Sequence, residues 1–160
     1  MMMDVDARAI TQLFEIASLG APQNAVGFVM WRIVHRYQRE VDHALQPLDL
    51  THLQFITLTL VAWMSRTGEA APQSGVARFG DIHPMQVSNV MKALERKKMI
   101  QRARSSGNAL AKDVTITTTG MVALEAALPL VIAVQARLFG DEGRPGGGLL
   151  DALVRIDRGG

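Results

Sequence analysis

The segment ARFGDIHPMQVSNVMKALERKK, residues 77–98, admits few folds. Pro84 has no backbone N–H, so a helix tolerates it in the first turn and is broken or kinked by it later. After it, Val87, Val90, Met91 and Leu94 recur at helical spacing, which predicts a helix that turns these four into a core. Before it, SGVARFG reads as a short helix started by Pro72 to Ser74 and stopped near Gly80, with Asp81-Ile82-His83 as a turn. Two short helices joined by a tight turn form a helix-turn-helix unit. QRAR and KDVTIT then read as strands around the polar loop SSGNALA, so a hairpin follows the second helix directly.

The flanking sequence is helical. Between Asn24 and Gln46, Met30, Ile33, Val34, Tyr37, Val41, Ala44 and Leu45 fall on one side of a helix, with Arg32, Arg36, Arg39 and His43 opposite; Pro47 ends it. Thr51 is a good N-cap for a central apolar helix running to about Ser65. One of Thr117, Thr118 and Thr119 caps a long helix reaching Phe139, which Pro129 is expected to bend or interrupt. LLDALVRIDR forms a short terminal amphipathic helix after the break GDEGRPGGG. With 160 residues, 48% of them hydrophobic and only 5% aromatic, the chain suits one mainly α domain with a small β-hairpin.

Charge is distributed unevenly. From Lys92 to Lys112 seven basic residues face one acid, a net +6, whereas the remainder carries ten basic and fourteen acidic residues, a net −4. A basic patch on a mildly acidic body is the footprint of a polyanion binder, with a solvated basic loop as the alternative. A helix entering the major groove of DNA needs polar side chains near its start to reach base edges and cations nearby to hold phosphates. Pro84 opens the candidate helix, Gln86, Ser88, Asn89 and Lys92 are its outward polar positions, and Arg96, Lys97, Arg102, Arg104, Asn108 and Lys112 lie at its end or on the hairpin. The first group is assigned to base reading and the second to the backbone.

From Leu48 to Gly120 the chain resembles the winged helix-turn-helix core of the MarR family of bacterial and archaeal transcription regulators. The residues that carry the likeness are Leu50-Thr51 with Gln54-Phe55, Val76-Ala77, Val87, Val90 and Leu94, and the closing Ile116-Thr117-Thr118-Thr119-Gly120. Three positions depart from the family pattern. Asn108 and Leu110 stand where an Asp-x-Arg is usual on the wing, and Lys98 replaces the glycine after the recognition helix. A lysine there must turn left-handed or the helix end must rearrange, at about 1 kcal/mol.

The resemblance implies N-terminal dimerisation helices over residues 1–47, a winged helix-turn-helix over 48–117 and C-terminal dimerisation helices over 118–160, integrated in one domain. It also implies a homodimer on double-stranded DNA at a roughly palindromic operator, acting as a repressor, with a small aromatic or phenolic acid as effector and no cofactor. Trp31, His35 and Gln38 on the first long helix, with His52 and Trp63 on the next, are the candidate ligand residues. The alternative is a winged-helix protein-interaction module with weak or lost DNA binding, which the replaced wing arginine allows.

Other classes find little support. There is no cysteine, no phosphate-cradling glycine loop and no nucleophile elbow, and His35, His43, His52 and His83 lack metal-ligand spacing, so neither an enzyme nor a metal site is expected. No basic leader precedes an apolar run, and no stretch reaches about 18 uncharged apolar residues. A cytoplasmic protein that makes no use of a membrane is the expectation.

Overall fold

The computed structural model describes residues 6–17 and 20–159. In chain order it contains α1 (Ala7–Ala17), α2 (Val26–Leu45), α3 (His52–Met64), β1 (Ala71–Pro72), α4 (Gln73–Phe79), α5 (Pro84–Arg96), β2 (Ile100–Ser105), β3 (Asn108–Ile116), α6 (Thr118–Phe139) and α7 (Gly148–Arg158). Short 3-10 turns follow α2 and α6. The chain divides into two compact units, Met1–Arg39 and Glu40–Gly160.

The second unit holds the core. Val41, Leu45, Leu58, Val61, Val76, Val87, Met91, Leu94 and Val114 are fully buried, drawn from the end of α2 and from α3, α4, α5 and β3. The helix start at Thr51 is a capping box: its hydroxyl accepts from the Gln54 N–H, and the Gln54 side chain accepts from the Thr51 N–H. Mid-helix, Thr57 is buried because its hydroxyl donates to the Leu53 carbonyl at 2.8 Å, which leaves no polar atom unpaired.

The three strands form an antiparallel sheet in the order β1-β3-β2. The two-residue β1, paired through Ala71 with Val114, is absent from the sequence reading, because so short a strand exists only through its distant partner. The hairpin is also tighter than expected: the turn is Ser106-Gly107, and β3 already begins at Asn108.

Thr117 caps α6 by accepting from the Gly120 N–H, and its own hydroxyl donates to the Lys98 carbonyl at 2.7 Å. Gly120 is required here, since a Cβ would collide with the carbonyl oxygen of Met99. Of the two outcomes expected at Pro129, a bend or a break, the break does not occur: α6 runs through it from Thr118 to Phe139. Its ring lies on an exposed side, while Leu124, Ala127, Val131 and Val134 hold the other side in the core. By length and composition alone, Thr118–Gly143 could cross a membrane, with a mean hydropathy of 1.7. Its buried stripe marks it as a packing helix of this fold.

Candidate nucleic-acid interface

The interface is built on α5. His83 caps it, its ring Nδ1 accepting from the Met85 N–H at 3.2 Å, and Pro84 takes the first helical position, where no N–H is needed. The preceding turn is tight because Asp81 adopts a left-handed conformation with φ 48 and Ile82 donates back to the Ala77 carbonyl at 2.9 Å. A Cβ at Gly80 would stand 2.7 Å from the end of the Leu60 side chain, so Leu60 and Ile82 would have to shift to admit one. With Val87, Met91 and Leu94 turned inward at 0% exposure, Gln86, Asn89, Lys92 and Arg96 form an exposed polar row. Ser88 is half-buried, and so is Val90, which is less deeply set than the core position expected of it.

The end of α5 is a Schellman motif: Met99 donates to the Leu94 carbonyl at 3.0 Å and Lys98 to the Glu95 carbonyl at 2.9 Å. Lys98 takes the left-handed position with φ 58, so the expected strain is accepted and the helix end is kept.

Two of the cations assigned to phosphates are used inside the fold. Lys97 binds the Asp49 carboxylate and the Gln54 side chain, both at 3.1 Å, and also the Asp49 backbone carbonyl, which ties the end of α5 to the start of α3. Arg102 donates through Nε and Nη2 to Glu95 at 3.1 and 2.6 Å, and its side chain is only 9% exposed. The Arg102 hydrogen bond holds the Glu95 carboxyl below its ordinary range. Both residues therefore position α5 and β2 rather than offering free charge. Their sequence context could not reveal this, because the acidic partners act only once the chain has folded. Lys92, Arg96, Arg104 and Lys112 remain exposed.

On the wing, Asn108 accepts the Leu110 N–H on Oδ1 at 3.0 Å, a local turn. Leu110, Ala111 and Lys112 line a recess of about 270 Å³ with Gln73, Ser74, Pro84 and Ser88. The wing and the start of α5 thus share one surface. The start of α4, through Gln73 and Ser74, belongs to that surface too, which the sequence reading missed because neither residue carries a distinguishing signal.

Only part of the candidate ligand set is gathered. Within the first unit the Trp31 and His35 rings touch with centroids 3.9 Å apart and planes tilted by 39°, and His35 Nδ1 bonds the Trp31 carbonyl at 2.7 Å. They line a shallow recess of about 410 Å³ with Val29, Ile33 and three arginines, Arg32, Arg36 and Arg39; Gln38 lies outside that lining. His52 and Trp63 occupy opposite ends of α3. His52 is half-buried, which lowers its pKa against the opposing pull of Asp42. Trp63 is covered by the Arg66 guanidinium, 3.9 Å from its ring centroid. Among the described residues no three His, Asp or Glu side chains gather to hold a metal.

No family model matches the chain. The uncharacterized HTH-type transcriptional regulator YdcH of Bacillus subtilis (strain 168) is 32% identical over 123 residues, covering 77% of this chain and 84% of the relative. Among solved structures, CouR from Rhodococcus jostii RHA1 bound to p-coumaroyl-CoA superimposes with a TM-score of 0.69 at 25% identity, over 86% of this chain and 89% of that one. The S. aureus MepR–DNA complex superimposes with a TM-score of 0.65 at 26% identity, over 71% and 81% of the two chains. The structural neighbours include MarR-family regulators, and the polar row on α5, the wing beside it and the Schellman turn between them sit in that common fold. The chain belongs to the MarR family of helix-turn-helix transcriptional regulators, proteins that are not enzymes.

Proposed function

We propose that the protein is a homodimeric, sequence-specific DNA-binding repressor that acts in the cytoplasm on a roughly palindromic operator. The observation that carries this reading is the exposed row Gln86, Asn89 and Lys92 on α5, flanked by the exposed cations Arg96, Arg104 and Lys112. Gln and Asn make paired hydrogen bonds to adenine, and Lys reaches guanine or phosphate. Asn108 and Ser88 complete the contact surface, with Pro84 setting the helix start. The likeness to MepR, which was solved on DNA, supports the same use of the fold.

In this reading residues 48–117 form the DNA-binding region, and the helices of 1–47 and 118–160 join two copies. A dimer of this kind sets its two recognition helices about one DNA turn apart, roughly 34–36 Å. The effector is a small aromatic acid, for which the adjoining, tilted rings of Trp31 and His35 beside Arg32, Arg36 and Arg39 supply an aromatic surface and positive charge. CouR was solved with p-coumaroyl-CoA, an aromatic acyl thioester rather than a free acid, so the likeness supports only an aromatic group in the effector.

The test is fluorescence anisotropy of the full-length protein on duplex DNA from upstream of its own gene, with a scrambled duplex as control. Asn89→Ala should weaken binding to the native duplex by roughly 10- to 100-fold. With Lys92, Arg96, Arg104 and Lys112 engaged in both protomers, log affinity should fall with log salt at a slope of about −7. Equal binding of both duplexes with a shallow slope would instead favour a protein-interaction module.

A further inference from the structure

The first turn of α5 hangs on a histidine. The His83 ring Nδ1 accepts from the Met85 N–H at 3.2 Å, and the His83 carbonyl accepts from the Val87 N–H at 3.1 Å. Pro84, between them, has no N–H to give. Side chains that cap helices are most often Ser, Thr, Asp or Asn, whose oxygens accept at any pH near neutrality. Imidazole differs: its nitrogen accepts only while it holds a lone pair, and a protonated ring offers two donors and no acceptor.

Protonation therefore does two things at this position. It deletes the bond to Met85, and it sets a positive charge at the end of α5 where the aligned peptide dipoles are already positive. Gln86, the first outward polar residue, stands in the turn that is disturbed. The charged groups around the exposed ring are few. Asp81 lies in the turn before it, Arg78 is on α4, and Lys112 on β3 shares a recess with Pro84. On α5 itself the first charge is Lys92, and α3 carries none between His52 and Arg66. Among the described residues no hydrogen bond or ion pair joins any of these groups to the ring, so the cap follows the charge of the imidazole itself.

We propose that His83 makes DNA binding sensitive to acid: a neutral ring caps the first turn of α5 and holds it ready for DNA, and a charged ring lets that turn fray and lowers affinity. This rests on the DNA-binding reading above. A charged His83 also attracts phosphates, but that attraction is between exposed groups and is screened by water and salt. The lost cap and the repulsion from the helix dipole act inside the helix at close range, and they prevail. By linkage, DNA that prefers the neutral ring expels protons when it binds.

The first measurement needs no DNA. In proton–nitrogen correlation spectra of the full-length protein, the Met85 amide should move upfield between about pH 8 and about pH 5.5, the range in which imidazoles change charge. It should stay in place in His83→Asn, whose side-chain oxygen caps without titrating. Anisotropy is then read at the same two pH values on a duplex selected from a random pool by the wild type at the higher one. Acid should weaken the wild type about threefold per protomer, or about tenfold for a dimer. His83→Asn should bind alike at both pH values, and His83→Ala, capless at either, should also bind alike but more weakly. Calorimetry in two buffers of different ionisation heat should show protons released as the wild type binds, a release that His83→Asn abolishes. The other histidines are the same in all three proteins and cancel from the comparison.

Affinity that rises in acid, or proton uptake on binding, would overturn the proposal, since either makes His83 a phosphate contact. So would an acid loss that His83→Asn shares. Specific binding that ignores pH overturns this proposal alone, whereas a pool from which the wild type enriches nothing overturns the DNA-binding reading and this one with it.

Discussion

In the winged lobe, Leu58, Val76, Met91 and Leu94 are fully shielded, whereas α1 buries no residue and exposes Ile10, Leu13, Phe14 and Ile16 at 43–85%. The same contrast separates the lobe from α7, where nothing is buried and Leu153 and Ile156 are 43% and 68% exposed. α5 of the lobe is amphipathic just as α1 and α7 are, so between these helices the difference does not lie in the local pattern. A buried aliphatic side chain contributes about 1.5–3 kcal/mol that an exposed one forgoes. An 11-residue helix such as α1 falls below the ~12–15 residues at which isolated helices become even marginal in water. The lobe is therefore complete within one chain, and the end helices require an apolar surface from elsewhere, for which a second copy is the proposed source.

The largest effect should come from the lobe. Leu58→Ala, which empties a fully buried position, should lower unfolding stability by about 3–4 kcal/mol in urea denaturation. Ile16→Ala should leave the stability of the lobe within about 0.5 kcal/mol; comparable losses would erase the contrast. Assembly should respond in the opposite way. Leu13→Asp should raise the dimer dissociation constant at least about 30-fold, the equivalent of about 2 kcal/mol, in sedimentation at several concentrations. A variant that sediments as a stable dimer would show that α1 is not the contact.

Smaller effects sharpen how the lobe holds its own polar groups. Glu95→Gln leaves the shielded Arg102 guanidinium without its counter-charge and should cost about 1–2 kcal/mol, discounted because Glu95 itself is partly exposed. Since the folded Glu95 pKa is depressed, its contribution is full above the ordinary carboxylate range and is lost as pH falls through the folded value. Glu95→Gln should flatten that acid limb of the stability curve. His52 should give the smallest change. Burial depresses its pKa, so the unfolded chain takes up a proton first and stability declines as pH drops below about 6.5. His52→Gln should remove that decline while the Glu95 limb persists.

Much of the fold was legible wherever a local rule applied. Thr51 and Thr117 cap the helices expected of them, Pro84 opens α5, and Lys98, which stands where the family resemblance places a glycine, takes the first of the two outcomes expected there, a left-handed turn. These outcomes depend on atoms within a few residues of one another. Lys97 and Arg102 escaped the same reasoning because their partners, Asp49 across 48 positions and Glu95 across the helix–strand junction, are brought near only by folding. β1 depends on Val114 in the same way, and Pro129 is tolerated because the rest of α6 is anchored in the core.

By itself the sequence determined helix starts and stops, the hairpin, the apolar stripe of α5 and the concentration of charge around it, since each follows from backbone sterics or short-range spacing. Only the tertiary structure decided which cations stay free and which apolar faces find cover. Those properties depend on pairing and burial between distant residues, and such contacts gain their energy only when water is excluded from both partners together.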